Sequence, residues 1–387
     1  MALHRSLDQV TSSSSPVASN QLEEGRVSLD TTFPRGFLPD PDPLTSFETS
    51  SELATLDILG RDLPSLLHDS GFRRYARELR IPGLPRGEIP LRVLRLYYVR
   101  VGFLASAYVN QVGEEPARVL PSNIAVPLCD VCTRLRRPPI LSYDGYALAN
   151  WKRFNPAGPI ALGNIDTIQN FVHLYDEHWF ILVHVEIESL AASLLKAIEQ
   201  VERDSPAGDV AAINSALSDV NRTVWAQVNV LRRIPEKMDP ALYYKTFRPY
   251  IRFFEGVVYE GVDTAPMDFR GETGAQSSVI PTLVAFLKIP HQPSMLTDHL
   301  ADMRRFMPFE HRAVIARAEA LPSLRGLADK NVYNEALEAL ATFRETHLEF
   351  ARRYIARWVT DPRGTGGTPY LNWLGQLIDE TRNHKIA

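Results

Sequence analysis

Apolar residues recur at steps of three and four positions through most of the chain, which is the spacing of one face of an α-helix. The pattern predicts helices over residues 53–67, 91–108, 177–202, 209–233, 277–289, 296–306, 334–358 and 369–382. Asp62 and Pro64 resemble a helix cap and first turn, so we expect a helix boundary there. Helices therefore dominate the expected fold.

Runs with the composition of β-strands are scarce. Residues 140–142 and 257–259 are the two β-like runs, which are too few and too short for a substantial sheet. Prolines cluster at 82–90 and 116–127, where we expect short separate elements. The sequence predicts an all-α protein.

The length of 387 residues exceeds the size at which one hydrophobic core usually stops growing, so we expect two domains. These are a small, mostly helical N-terminal domain over residues 31–164 and a larger helical domain over residues 165–387. Residues 1–30 are polar and include four consecutive serines, which predicts a disordered tail. An extended lead-in is expected from the prolines that follow, Pro34, Pro39, Pro41 and Pro43.

Composition narrows the class of protein without identifying it. The chain is 45% hydrophobic and 23% charged with a net charge of −4, which is typical of a soluble globular enzyme and makes nucleic acid an unexpected partner. The N-terminus has no apolar segment of the kind found in signal peptides, and the best apolar run, residues 180–185, is far too short to span a membrane. We expect a cytoplasmic protein.

The two cysteines, Cys129 and Cys132, have a spacing seen in redox, zinc and haem-attachment motifs. Covalent haem attachment would need a histidine where Thr133 stands, zinc would need two more ligands, and a redox pair belongs near a βαβ pattern that the sequence lacks. We therefore expect two reduced, partly buried thiols in a helix.

His347 belongs to the apolar stripe of the helix predicted over 334–358, so its imidazole should face the interior. Ala351, one turn later, leaves room for a flat group, and Arg344, one turn earlier, offers a cation for an acidic substituent. A haem with its two propionates fits this description. An inward histidine is more often a hydrogen-bonded core residue, and that alternative stays open.

Several separate blocks resemble the indoleamine 2,3-dioxygenase family. They are PPILSY at 138–143, LANW at 148–151, VVYEG at 257–261, QSS at 276–278, DMRRFMP at 302–308, RETH at 344–347 and GTGGT at 364–368. Blocks in the right order are more specific than any one alone, and the resemblance covers roughly residues 45 to 380. It implies haem b, with ferrous iron in the active form, held in the larger domain.

The resemblance assigns His347 as the axial ligand of the haem iron. It implies that Arg344 pairs with a propionate, with a salt bridge to Glu345 as the alternative. Residues 271–278 correspond to a loop over the haem edge, which places Gly274 at the cofactor, and Ala351 leaves room beside it.

On the opposite face, the resemblance places His184 where the vertebrate enzymes have serine and the related tryptophan 2,3-dioxygenases use histidine. A histidine there can hydrogen-bond the indole nitrogen or dioxygen, so His184 is the candidate catalytic residue. A packed, satisfied histidine is the alternative, because the helical register near residue 180 is ambiguous. Phe180, one turn earlier, would pack on the substrate ring.

Substrate recognition follows from the same resemblance. Arg248 is expected to clamp the carboxylate of the amino acid through two parallel hydrogen bonds, although a surface arginine before a proline is the alternative. Tyr143 and Tyr243 would line the indole slot. Residues 364–368 read as a glycine-rich lid in which Thr365 offers a hydroxyl to the carboxylate or a propionate, or else as a plain linker.

The implied activity is that of an oxidoreductase that inserts both atoms of dioxygen across the C2–C3 bond of L-tryptophan or a related indoleamine. The product would be N-formylkynurenine, the first step of the kynurenine pathway, and an electron donor would reduce the haem. Two alternatives remain: a haem oxygenase acting on another indole, and a non-catalytic haem-binding protein. The first is favoured by four departures from the vertebrate pocket, at Tyr146, His184, Tyr243 and Glu272.

Overall fold

A computed structural model describes residues 28–358 and 370–387. The fold is built mainly from α-helices, which confirms the predicted all-α class. The helices of seven or more residues are, in chain order, Thr55–Leu66, Phe72–Glu78, Leu91–Val109, Ser122–Arg134, Tyr175–Leu190, Ala192–Asp204, Val210–Leu231, Val279–Phe286, Met295–Met303, Phe309–Ala320, Lys330–Tyr354 and Tyr370–Asn383.

The expected boundary at Asp62 and Pro64 is wrong, because Pro64 lies inside the helix Thr55–Leu66. Proline cannot donate to the carbonyl of Gly60, four residues earlier. That carbonyl instead accepts a hydrogen bond of 2.8 Å from the side chain of Gln169, which satisfies the freed backbone oxygen. The helix therefore continues past the proline with the help of a residue far away in the sequence.

Other helix boundaries also differ from the prediction. The expected helix over 177–202 is two helices, Tyr175–Leu190 and Ala192–Asp204, and the strand Pro34–Phe37 packs against the break. Gly36 makes this approach possible, since its φ is +64° and a Cβ there would lie 2.1 Å from the carbonyl oxygen of Glu188. The proline-rich stretch 116–127 also contains the start of a helix, Ser122–Arg134; a helix was expected around Cys129 and Cys132 but not from residue 122.

The helix Phe309–Ala320 was not predicted because it lacks a clear apolar stripe. It buries the polar His311 beside Val314 and Ile315, so apolar spacing alone gives no signal. The ring of His311 contacts the rings of Phe33 and Phe37, with centroids 5.9 and 4.9 Å away. The contacts that bury this helix are therefore long-range.

Strands are short and few among the described residues. Val119–Leu120 pairs in parallel with Phe254–Tyr259, which pairs antiparallel with Met267–Phe269. Trp151–Arg153 and Ile165–Thr167 form a two-stranded antiparallel ladder. The β-like run at 257–259 is confirmed, whereas the run at 140–142 is wrong: it is irregular backbone, and Ile140 and Leu141 are buried by helices.

Three apolar clusters form the core. The first packs around the helix Leu91–Val109, the second around Ala192–Asp204, Val210–Leu231 and the first half of Lys330–Tyr354, and the third around Trp179, Phe247 and Tyr354. The helix Tyr175–Leu190 contributes Ile181 and Leu182 to the first cluster and Val183 and Ile187 to the third. This helix therefore lies where the cores meet, and the division at residue 164 stays a prediction.

The described chain begins with the short helix Leu29–Thr32, in which Leu29 is fully buried. Most of the predicted tail lies outside the described residues. Cys129 and Cys132 are free thiols in the helix Ser122–Arg134, as expected for their location. No helix in the described part of the chain combines the length and the apolar character needed to cross a bilayer.

Candidate functional site

A cavity of about 780 Å³ lies between two long helices that face each other. One is Tyr175–Leu190, called here the His184 helix, and the other is Lys330–Tyr354, called the His347 helix. The remaining walls come from the loop 271–277 and from the helices Val279–Phe286, Met295–Met303 and Tyr370–Asn383. The volume falls within the range of sites for drug-sized ligands and cofactors, and the lining is mainly apolar.

The His347 helix begins at an N-cap aspartate, Asp329, whose carboxylate accepts hydrogen bonds from the amides of Asn331 and Val332 at 2.8 and 3.3 Å. Leu340 and Leu348 on this helix are buried, which fixes its rotation. His347 consequently lines the cavity, and its side chain is exposed to that space.

Burial lowers the pKa of His347 to about 4, and the electrostatic effect of His184 lowers it further in the same direction. The imidazole is therefore neutral at neutral pH. Among the described residues, none forms a hydrogen bond with its ring. A neutral imidazole that faces an apolar cavity without a protein partner has the chemistry of an axial iron ligand.

Arg344 lies one turn before His347 and is only 4% exposed. It donates a hydrogen bond of 2.7 Å to the carbonyl of Leu377 and another to the hydroxyl of Thr381, which ties the His347 helix to Tyr370–Asn383. Burial lowers the pKa of Arg344 to about 10, while the carboxylate of Glu380 acts in the opposite direction. The alternative pairing with Glu345 is not formed.

The residues around His347 fit a haem. Arg344 and Ala351 both line the cavity, so a cation and a small side chain flank the imidazole. Gly274 lines the cavity from the opposite loop, and a Cβ built on it would meet no protein atom within 4 Å. Apolar walls, a neutral imidazole and a guanidinium are the groups that a porphyrin with propionates requires.

His184 lines the same cavity from the facing helix. Its Nδ1 lies 2.7 Å from the carbonyl oxygen of Phe180, which can only accept a hydrogen bond. Nδ1 therefore carries the proton in the neutral ring, and Nε2 is left as an acceptor. Burial lowers the pKa of His184, with the hydrogen bond to Phe180 acting against it, so the neutral form is favoured.

Aromatic rings surround His184. The ring centroid of Phe180 lies 4.6 Å from that of His184, and the centroid of Tyr143 lies 5.8 Å away, both edge-on. Tyr243 lies 5.4 Å from Phe180. Tyr143 directly precedes the π-turn Asp144–Leu148 and Tyr243 begins the π-turn Tyr243–Phe247, a backbone form that often occurs at functional sites.

The structure brings Tyr143, Phe180, Tyr243 and His184 to the cavity wall, but it places Arg248 elsewhere. Arg248 is 7% exposed, which excludes the alternative of a surface arginine, yet it does not line the cavity. Its guanidinium lies 5.3 Å from the ring centroid of Tyr244 and acts electrostatically on the phenol of Tyr243. Tyr243 lines the cavity, whereas Arg248 acts on it from outside the lining. Residues 364–368, with Thr365, lie outside the described residues, so the lid stays a prediction.

Sequence reasoning missed Glu188, one turn after His184. Its carboxyl accepts hydrogen bonds from the hydroxyls of Ser277 at 2.5 Å and Tyr143 at 2.9 Å. Burial raises the pKa of Glu188 to about 7, while these two hydrogen bonds act in the opposite direction. An acid four residues after a candidate histidine in an apolar helix was the available signal.

A family model described as "Indoleamine 2,3-dioxygenase" matches residues 28–361. Indoleamine 2,3-dioxygenase 1 of Rattus norvegicus is 30% identical over 85% of this chain and 89% of its own length. Indoleamine 2,3-dioxygenase 2 of Mus musculus is 32% identical over 75% of this chain and 79% of its own. A protein named myoglobin from Haliotis madaka is 27% identical over 94% of this chain and 99% of its own.

Proposed function

Because the chain belongs to the indoleamine 2,3-dioxygenase family and is an oxidoreductase of this type, we propose that it cleaves the C2–C3 bond of L-tryptophan or a related indoleamine. Both atoms of dioxygen enter the product, N-formylkynurenine, as the first step of the kynurenine pathway. The observation that carries the proposal is that His184 and His347 lie on facing walls of one mainly apolar cavity.

The cofactor we propose is haem b. His347 would hold its iron, Arg344 would meet a propionate, and Ala351 and Gly274 would leave space for the ring. When bound and reduced by an electron donor, haem supplies the activation of dioxygen, which no side chain provides by itself. The relative named myoglobin supports a haem protein.

The chain's own residues position the substrate. Nε2 of neutral His184 is a hydrogen-bond acceptor, and the N–H of an indole is a matching donor. The edges of Phe180 and Tyr143 beside it offer an apolar slot for the ring. We therefore assign His184 to the substrate rather than to dioxygen, since a ring protonated at Nδ1 alone has no donor left at Nε2.

The carboxylate of the amino acid would accept a hydrogen bond from the hydroxyl of Tyr243. Tyr243 lies at the cavity wall, and the Arg248 guanidinium acts electrostatically on its phenol. A cation placed behind a hydroxyl strengthens that hydroxyl as a donor to an anion. Thr365 is proposed as a further donor from the lid. The remaining walls exclude water from the reacting centre.

Turnover tests this proposal. The full chain is purified with haem, reduced, and supplied with L-tryptophan in air, and the product is followed by absorbance and mass. We expect N-formylkynurenine, with two oxygen atoms from labelled dioxygen in each molecule. Haem binding without any such product would contradict the catalytic function and would leave a haem-binding protein.

A different indole is the second candidate substrate. Glu272 brings a carboxyl to the cavity wall where the vertebrate pattern has a smaller residue. Tyr146, also larger than its vertebrate counterpart, lies outside the cavity lining and donates a hydrogen bond of 3.2 Å to Glu177. Product analysis with a panel of ring-substituted and side-chain-modified indoles separates the two. Higher kcat/KM for a substituted indole than for L-tryptophan would favour this candidate.

A further inference from the structure

Glu272 is a buried acid on the loop over the cavity. It is 3% exposed and lines the cavity beside Thr273 and Gly274. Its amide donates a hydrogen bond of 3.1 Å to the carbonyl of Ile251, and a Cβ on the preceding Gly271 would lie 2.4 Å from that same oxygen. The loop backbone is thus packed tightly against Ile251, and the carboxyl is held at the cavity.

No residue in the described part of the chain hydrogen-bonds or ion-pairs with the Glu272 carboxyl. The titratable groups that face it are the phenols of Tyr143, Tyr146 and Tyr243. Two of these phenols already donate elsewhere, Tyr143 to Glu188 and Tyr146 to Glu177, and the third, Tyr243, forms no hydrogen bond with Glu272. The Glu272 carboxyl is therefore available to accept a hydrogen bond from a ligand in the cavity.

The charges near Tyr243 suggest which donor this is. Arg248 and Glu272 both act electrostatically on Tyr243, with opposite signs. A free α-amino acid carries a carboxylate and an ammonium on one carbon, which matches a cation and an acid around one side chain. The indole N–H already has an acceptor in His184, so the ammonium is the substrate donor that remains.

Resting on the proposed function, we propose that Glu272 is a specificity-determining residue that binds the ammonium group of the amino-acid substrate. It selects indoles that carry a free α-amino group over indoles with an acidic side chain alone. The carboxylate must be ionised to pair with the ammonium. Burial raises the pKa of Glu272 to about 8, so at pH 7 the free protein holds a proton there.

Substrate binding at pH 7 should consequently release about one proton from Glu272. We would titrate L-tryptophan into the full haem-loaded chain in its ferric form, which does not turn over, by calorimetry in phosphate and in Tris. Because the two buffers have different ionisation enthalpies, the difference between the binding heats measured in them gives the number of protons released. Indole-3-propionate, which lacks the ammonium, is the matched ligand. E255Q, which removes an exposed acid of the nearby strand Phe254–Tyr259, is the matched variant.

Wild type and E255Q should each release about one proton with L-tryptophan and none with indole-3-propionate. E272Q should release none and bind L-tryptophan at least roughly tenfold more weakly, while its affinity for indole-3-propionate is unchanged. An unchanged melting temperature and Soret band would show that E272Q folds and holds haem.

Two results would overturn the inference alone. In the first, E272Q binds L-tryptophan and releases protons as wild type does. In the second, E272Q loses affinity equally for L-tryptophan and indole-3-propionate, which would mean that Glu272 contacts the indole ring. A wild-type chain that makes no N-formylkynurenine yet shows the E272Q effect would overturn only the proposed function. A wild-type chain that does not bind L-tryptophan would overturn both.

Discussion

The proton on His184 decides what this side chain can do. The carbonyl of Phe180 holds Nδ1 at 2.7 Å and fixes the proton there, so Nε2 presents a lone pair to the cavity. Protonation of the ring would place an N–H donor at Nε2, and two donors, Nε2–H and the indole N–H, cannot hydrogen-bond each other. The role we propose for His184 therefore depends on a neutral ring.

Substitution H184S tests this dependence. Because the pKa of His184 is lowered by burial, the ring of the wild type should gain its proton only below its ordinary value of 6.5, and kcat/KM should fall on the acid side of that pH. A serine hydroxyl accepts a hydrogen bond at any pH. H184S should keep its haem, have a lower rate and lose the fall in kcat/KM at acid pH. If the pH profiles of kcat/KM for H184S and wild type superimpose, His184 does not bind the substrate.

Glu272 should also affect stability in a predictable direction. Its pKa is near 4.5 in the unfolded chain and about 8 when folded, so the stability it contributes is complete below pH 4.5 and is lost as the pH rises to about 8. E272Q cannot lose a proton. Its free energy of unfolding relative to wild type should increase by about 2 kcal/mol between pH 6.5 and 8.5, at about 1.4 kcal/mol per pH unit.

Urea unfolding of both proteins at the two pH values measures this difference. Glu177 and Glu188, whose pKa values burial raises to about 7, are present in both proteins, so their effect cancels in the comparison. A difference between E272Q and wild type that is the same at pH 6.5 and 8.5 would mean that the carboxyl titrates normally.

The sequence alone predicted that His347 lies on the apolar stripe of its helix, and the resemblance named several other residues that line the cavity, among them Tyr143, Phe180 and His184. It did not predict that Arg248 lies outside the cavity lining, because that depends on how the π-turn Tyr243–Phe247 orients the side chains that follow one another there. That no described residue hydrogen-bonds the Glu272 carboxyl was equally hidden, since the nearby phenols of Tyr143 and Tyr146 donate instead to Glu188 and Glu177.

At the scale of elements, the loop 271–277 is fastened to the His184 helix through Glu188. Ser277 donates from the loop and Tyr143 donates from the segment before the π-turn Asp144–Leu148, and both hydroxyls end on the same carboxyl oxygen. Three separate elements of the cavity wall therefore meet at one buried side chain. Glu188 holds Tyr143 in place without itself lining the cavity.

Substitution E188A should loosen all three elements together. It leaves two buried hydroxyls without an acceptor, which costs roughly 1–3 kcal/mol each, so we expect a loss of about 2–6 kcal/mol in the free energy of unfolding. E188Q keeps an acceptor oxygen and is the matched control, with a smaller loss. Denaturant midpoints of the two variants check this, and equal stability of E188A and wild type would contradict it.

Element boundaries were predictable only where local pattern decides them. The helix Leu91–Val109 was expected over 91–108 and is nearly that long. The helix Thr55–Leu66 continues through Pro64 because the side chain of Gln169 donates a hydrogen bond to the carbonyl of Gly60. The expected helix 177–202 breaks where Gly36 packs against it. Both causes lie more than a hundred residues away in the sequence, where periodicity carries no information.

At the scale of the molecule, the cavity lies where the apolar clusters meet. The His184 helix belongs to two of them, and the His347 helix supplies Leu337 and Leu340 to the second cluster and Phe350 and Tyr354 to the third. Rigid cores on both sides hold the two histidines across one space. A site of this kind is built from helices that are far apart in sequence, so length and composition could only indicate a protein large enough to contain it.

Haem binding should stabilise this whole assembly, since a ligand that binds the folded state alone shifts the unfolding equilibrium. If His347 holds the iron, its replacement by alanine should release the haem, and the haem content of H347A measures this. Wild type purified with haem should carry about one haem per chain with a Soret band, and H347A should lose most of the pigment while remaining folded by circular dichroism. H347A that keeps a full complement of haem and an unaltered Soret band would contradict the account.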